Sequence, residues 1–257
     1  MLSTLDLRLT QTIGMPYYRA TRRGTLHDRC AYLVHVVKEF GEKGKKLKIL
    51  DVGCGSGLGL YYLSQKVPDQ VESYLGIDLS TERLRPRFEK EPLPHDFTDV
   101  DLDTEWSYGQ FDIVWCAEVI EHLIDDTGLF RKMARSLAPG GVLVITTPSQ
   151  TNRELYGAQI PSYLSISSSQ DGGHVRVGYT EESMRALTDG TPYTMVRADA
   201  VTRCDLKYVK RHEEWPRAMR LANNTLETLS RSKADRYAIA PRNFEDYVSI
   251  TGIYRKA

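Results

Sequence analysis

Four side chains in this 257-residue chain have the types and spacing for acid–base chemistry. Glu118, Glu121 and His122 stand at i, i+3 and i+4, so one helical turn would put them on a single face. His174 lies in Gly172-Gly-His-Val-Arg-Val-Gly-Tyr-Thr. An imidazole with an unperturbed pKa of about 6.5 can take a proton from a hydroxyl near neutrality. His122 and His174 are therefore the candidate catalytic residues. Each can equally be structural, bonding backbone in a tight turn. The same four residues would also suit a divalent cation through mixed oxygen and nitrogen ligands. Acids placed favourably at a helix N-terminus give the same pattern without an ion, and a metal-free site is expected.

A second constellation lies upstream, in Ile49-Leu-Asp-Val-Gly-Cys-Gly-Ser-Gly-Leu-Gly-Leu60. An apolar run ends in alternate glycines and passes into an apolar-periodic segment, which reads as a buried strand, a tight turn and a helix. Gly53, Gly55 and Gly57 let a ligand touch the main chain, and the helix N-terminus beyond them offers free N–H groups. The turn lacks the G-x-G-x-x-G of dinucleotide binders and the G-K-[ST] of a phosphate loop. Asp51, ahead of the first glycine, would repel a pyrophosphate but suit an ammonium or a sulfonium. Asp78 follows Asp51 by 27 residues, at the end of a second apolar strand. A β-α-β unit brings that end beside the glycine turn, where a carboxylate can accept two hydrogen bonds from a ribose diol.

Asp51-Val-Gly-Cys-Gly-Ser-Gly resembles the first motif, D-x-G-x-G-x-G, of the class I S-adenosylmethionine-dependent methyltransferases. Leu137-Ala-Pro-Gly-Gly-Val-Leu-Val-Ile-Thr-Thr-Pro148 resembles a later segment of the same superfamily. The resemblance covers about residues 46–203 and, loosely, the last strand. It implies S-adenosyl-L-methionine as cofactor, held by Asp51, Gly53, Cys54, Gly55 and Gly57. It gives the ribose to Asp78, with Leu79 beside it. It gives the adenine amino group to an acid in His95-Asp-Phe-Thr-Asp-Val-Asp-Leu-Asp103; Asp101, followed by Leu102 to stack on the ring, fits best, and Asp99 competes. Ala117 and Glu118, after the fourth strand, complete the set. Methyl transfer asks the protein mainly for alignment of the nucleophile, with a base where the acceptor is a hydroxyl. The implied reaction is methylation of a small molecule, oxygen ahead of nitrogen because of the two histidines. The Glu-x-x-Glu-His segment with a later histidine also resembles the metal site of small-RNA 2′-O-methyltransferases, so metal-assisted RNA methylation is the alternative. Ubiquinone-pathway O-methyltransferases have a similar acidic segment, and so do metal-free relatives. A non-catalytic binder of the same cofactor is a third reading.

These residues need a scaffold. The expected fold is α/β: a Rossmann-like, seven-stranded, mostly parallel sheet with helices on both faces and an antiparallel last strand. Residues 1–45 are expected to form a helical N-terminal cap. Leu26, Cys30, Leu33, Val34, Val37 and Phe40 follow helical spacing there, and Tyr17 and Tyr18 are lid candidates. Residues 46–257 form the catalytic domain. Within it, residues 149–179 are long and polar without clear periodicity, which reads as a substrate lid. Residues 204–243 read as a helical insertion, with Trp215, Ala218, Met219, Ala222, Leu226 and Leu229 on one face.

Bulk properties narrow the partners. Residues 1–48 carry ten basic and four acidic side chains, residues 49–203 thirteen and twenty-three, and residues 204–243 nine and five. The basic flanks either pack on the acidic core or receive an anionic substrate. Zero net charge and the lack of an appended basic or aromatic module argue against a nucleic-acid partner. Cys30, Cys54, Cys116 and Cys204 form no C-x-x-C pair, which fits reduced thiols and argues against a cysteine zinc site. No apolar stretch approaches the roughly 18 residues of a membrane span, and the first residues do not read as a secretory signal. The expectation is a cytoplasmic enzyme that does not bind membrane; oligomeric state is open.

Overall fold

A computed structural model describes residues 24–41, 44–150, 174–176, 178–203, 237–238 and 247–257. The chain enters it through α1 (Gly24–Phe40) and alternates β1 (Leu47–Val52), α2 (Leu58–Lys66), β2 (Val71–Asp78), α3 (Leu84–Phe88), β3 (His95–Asp99) and β4 (Phe111–Ala117). Then come α4 (Asp126–Arg135), β5 (Leu137–Pro148), α5 (Glu181–Ala186), β6 (Tyr193–Arg203), β7 (Tyr237–Ala238) and β8 (Tyr247–Lys256). One sheet runs in the order β3-β2-β1-β4-β5-β8-β6-β7. The five strands from β3 to β5 pair in parallel, and β8 lies antiparallel between β5 and β6.

The seven long strands are those expected, with the last one antiparallel. The two-residue β7 is an addition. It comes from the stretch read as a helical insertion and pairs antiparallel with β6. The rest of that stretch, its apolar stripe, Tyr17 and Tyr18, and residues 151–173 and 177 of the expected lid lie outside the described residues.

Strand alternation sends successive side chains to opposite faces. Ile49, Trp115, Val144 and Ile253 pack with Leu33 and Val37 of α1 and Leu60 and Leu63 of α2. Leu50, Val114, Ile145 and Tyr254 pack with Leu129, Phe130 and Met133 of α4 and Met184 of α5. Both faces are thus covered, which is why β1 and β4 are almost wholly apolar. Asp125 caps α4 by accepting from the Gly128 N–H at 2.8 Å. Thr180 caps α5, with Thr180 and Ser183 bonded reciprocally.

Leu137 opens β5 opposite Phe111. Ala138-Pro-Gly-Gly is taken into β5 as a register shift, so that Ile113 pairs with Val142. No helix of the described residues is long and apolar enough to cross a membrane.

β1 has β2 on one side and β4 on the other: the chain runs outward from β1 to β3 and then crosses back to β4, so the strand order reverses between β1 and β4. The crevice at the carboxyl ends beside such a reversal is where open α/β sheets bind ligands. The glycine turn, Asp78, and Ala117-Glu118 all emerge there.

Candidate functional site

The turn after β1 is pinned to the end of β2. The N–H groups of Gly53 and Cys54 both donate to the Ile77 carbonyl, at 2.8 and 3.1 Å. Asp78 accepts from the Gly55 N–H with Oδ2 and from the Leu79 N–H with Oδ1, each at 2.8 Å. Each carboxylate oxygen keeps a lone pair. Gly55 has φ +55°, and a Cβ built on it meets nothing within 4 Å, so this part of the turn faces open space. A Cβ on Gly53 would instead lie 2.2 Å from Val119 Cγ2, and one on Gly57 would lie 2.5 Å from Phe88 Cε2. Packing therefore demands those two glycines, while the third is required by its positive φ and leaves the space above it open. Leu79 is 70% exposed beside Asp78, a free apolar surface at the same mouth. Cys54 is buried with its Sγ against Gly76, and burial raises its thiol pKa, so only its main chain is available to a ligand.

Asp51 sits lower than its place in the motif suggests. It is buried, and the Tyr74 hydroxyl donates to Oδ2 at 2.5 Å. A Cβ on Gly59 would lie 2.5 Å from that oxygen, so α2 passes directly over the carboxylate. Burial pushes its pKa up to about 7, against the opposing Tyr74 bond. Asp51 offers a ligand a field and a strut for the turn rather than an open anionic surface.

The two competing acids after β3 separate. Asp99 Oδ1 accepts from both the N–H and the hydroxyl of Thr81 at 2.6 Å, which holds its carboxyl below the usual range. Asp101 is exposed and accepts from the Asp103 N–H at 3.0 Å through Oδ1. Leu102 is buried in the core with Ile77 and Trp106.

At the end of β4 the helical turn expected over Glu118, Glu121 and His122 does not form. Glu118 has φ +58°, a conformation costing a non-glycine residue roughly 1–3 kcal/mol. A short 3₁₀ turn then spans Ile120–His122, and α4 begins only at Asp126. The positive φ turns Glu118 away from the other two. Its Oε2 pairs with Arg29 Nη2 of α1 at 2.8 Å, and its Oε1 accepts from the Ser249 hydroxyl of β8 at 3.2 Å. Arg29 Nη2 also donates to that hydroxyl at 2.9 Å. Glu121 is fully buried; Oε2 accepts from the Thr147 hydroxyl at 3.1 Å, while Oε1 has no hydrogen-bond partner among the described residues. Burial, then the nearby Glu118 charge, pushes the Glu121 pKa up to about 8. His174 Nε2 stands 3.9 Å from Glu121 Oε1. The rings of His122 and His174 meet edge to face with centroids 4.5 Å apart. Ligating atoms of Glu121, His122 and His174 lie within 4.8 Å of one another, and Glu118 is not in that group.

Chain order hid several partners. Arg29 and Ser249 are 220 residues apart, and neither belongs to a motif. Tyr74 was an unremarkable strand residue. Arg176 and Tyr179 lay in the quoted His174 segment without a visible role.

Residues 23–197 match the family described as Methyltransferase domain. The ubiquinone biosynthesis O-methyltransferase of Psychrobacter cryohalolentis is 35% identical over 116 residues, which are 42% of this chain and 43% of that protein. The alignment thus spans less than half of that curated relative. Among solved structures, coclaurine N-methyltransferase bound to N-methylheliamine and SAH superposes with a TM-score of 0.57 at 15% identity, over 91% of this chain and 72% of that one. The [4+2]-cyclase SpnF superposes at 0.54 with 18% identity, over 90% and 81%. A methyltransferase and a cyclase on one architecture show that these superpositions carry the fold and not the reaction.

Proposed function

Because this chain belongs to the Methyltransferase domain family, in its class I S-adenosylmethionine-dependent group, we propose that it methylates a small-molecule acceptor, oxygen ahead of nitrogen. The observation that carries the proposal is the pairing of an open glycine turn with two histidines at the same sheet edge. Gly55 leaves space for a ligand, Asp78 keeps acceptor capacity beside it, and His122 and His174 converge after β4. The curated relative named above, an O-methyltransferase, supports oxygen. It lends no support to the RNA alternative.

The open space over Gly55, the free lone pairs of Asp78 and exposed Leu79 fit a nucleoside with a vicinal diol. S-adenosyl-L-methionine, when bound, supplies an activated methyl on a sulfonium. Asp78 would take the ribose hydroxyls, Leu79 and Asp101 would border the adenine, and the Gly55 and Ala117-Glu118 main chain would line the methionyl end. His122 or His174 would take the acceptor proton as the new oxygen–carbon bond forms and the methyl–sulfur bond breaks, leaving S-adenosylhomocysteine as the neutral thioether. Replacing the operative histidine by glutamine should lower turnover by about 10²–10⁴-fold while leaving S-adenosylhomocysteine affinity unchanged. Full turnover in both variants would remove the base role.

The buried Oε1 of Glu121, without a hydrogen-bond partner among the described residues, favours a second reading. Glu121, His122 and His174 fit a divalent cation, which would supply Lewis-acid polarisation of the acceptor oxygen. Metal analysis of the purified protein tests this. Bound metal lost together in the three single variants supports it, and metal-free protein indifferent to added divalent ions ends it.

A further inference from the structure

Arg176 spans the two segments that carry the histidines. Its Nη1 donates to the Ile120 carbonyl at 2.8 Å, the Leu123 carbonyl at 2.7 Å and the Tyr179 hydroxyl at 3.0 Å. Its Nη2 donates to the Ile124 carbonyl at 3.0 Å. Asp126 Oδ2 lies 3.4 Å from Nη1 and accepts from the Tyr179 hydroxyl at 2.8 Å. The three carbonyls bracket Glu121 and His122. They belong to a segment that leaves β4 through only a short 3₁₀ turn; the Ile120 carbonyl also accepts the Leu123 N–H at 3.3 Å within it, and Arg176 supplies a donor to all three. A guanidinium can do so because its N–H groups form a rigid planar fork. An ammonium has three donors at one point.

The other end of the segment is fixed as firmly. The Val175 N–H donates to the Glu121 carbonyl at 2.9 Å, between the two histidines. A Cβ on Gly178 would lie 2.2 Å from the Pro148 carbonyl oxygen, so only glycine lets the returning chain come this close to the end of β5. The Tyr179 N–H then bonds that same carbonyl at 2.9 Å, and the Gln150 N–H bonds the Tyr179 carbonyl at 2.9 Å. His174 is thereby anchored two residues before Arg176, and His122 two residues before Ile124.

We propose that Arg176 is the positioning residue for the imidazole pair. Acting through the backbone, it holds the turn after β4 and the returning segment in the one register that brings His122 and His174 edge to face. The inference rests on the reading above that these histidines serve the acceptor, but its test does not require turnover.

The test is NMR of the imidazoles in the full chain, wild type against Arg176→Lys, with S-adenosylhomocysteine affinity and thermal unfolding measured beside it. The wild type should show a cross-relaxation peak between ring protons of His122 and His174, with ring-current displacement of one of them. Arg176→Lys keeps the charge but cannot reach three carbonyls and a hydroxyl. It should lose the peak and the displacement while S-adenosylhomocysteine affinity stays unchanged. Retention of both signals in a folded Arg176→Lys protein overturns the proposal. Should that variant not fold, Asp126→Asn carries the test by removing the charge that orients the guanidinium. The peak must then weaken, and an unchanged peak overturns the proposal equally. Loss of the signals in Arg176→Lys, alongside full turnover in the two histidine-to-glutamine variants, would keep the positioning role and remove the proposed base.

Discussion

Asp78→Ala should weaken S-adenosylhomocysteine binding by about 10- to 150-fold. The magnitude follows from how the carboxylate is already used. Each oxygen accepts one backbone N–H, from Gly55 and from Leu79, at 2.8 Å. One lone pair remains on each, enough for the two hydroxyls of a ribose and no more. The two hydrogen bonds to this half-exposed carboxylate are together expected to contribute about 1.5–3 kcal/mol. Truncation also frees the Gly55 N–H, but Gly55 is exposed, so water replaces the carboxylate and fold stability should drop by no more than about 1 kcal/mol. Calorimetric titration of both proteins measures the difference, with thermal unfolding as a control. Asp78→Asn should fall between them, since its carbonyl can keep the Gly55 anchor while its amide offers a donor where an acceptor was. Unchanged affinity in the alanine variant would refute the ribose assignment and leave Asp78 as a brace for the turn.

Three neighbouring glycine and acid positions should respond differently. Gly55→Val should cost roughly 1–3 kcal/mol of stability through its positive φ and abolish S-adenosylhomocysteine binding in the folded protein, because its side chain enters open space; retained affinity would mean the ligand lies elsewhere. Gly53→Ala should instead cost roughly 1–3 kcal/mol of stability through overlap with Val119, and an unchanged melting temperature would contradict the packing argument. Asp51 gives a pH dependence. Its folded pKa of about 7 exceeds its ordinary value of 3.8, so the folded protein keeps a proton that the unfolded chain releases. That stabilisation is complete below about pH 4 and is lost as pH rises towards 7. Urea unfolding should find the wild type roughly 2–3 kcal/mol less stable at pH 7.5 than at pH 5 on this account. Asp51→Asn should flatten the slope, and an equal slope in both proteins would place the titration in another group.

The sheet was legible because its signals are local and repeated. Apolar runs such as Ile113–Cys116 and Val142–Ile145 can only be strands buried on both faces. The glycine turn and Asp78 were legible for a related reason: a β-α-β unit of ordinary length leaves one place for the second strand's end. The chemistry beyond β4 was not. Helical spacing put Glu118, Glu121 and His122 on one face, yet the chain takes φ +58° at Glu118. That choice depends on Arg29 and Ser249, which hold the carboxylate from opposite ends of the sequence. Local propensity contains no information about partners 220 residues apart. The same limit hid Asp51, whose motif position is plain but whose burial depends on Tyr74 and on Gly59 passing overhead. His174 could be named as a candidate but not placed. The contacts of Arg176 and the approach of Gly178 to Pro148 decide where it sits. By itself the sequence determined the strands, the turn and the residue types at the sheet edge. Tertiary structure alone decided which of those side chains meet, because that depends on desolvation and on hydrogen bonds between segments that chain order keeps apart.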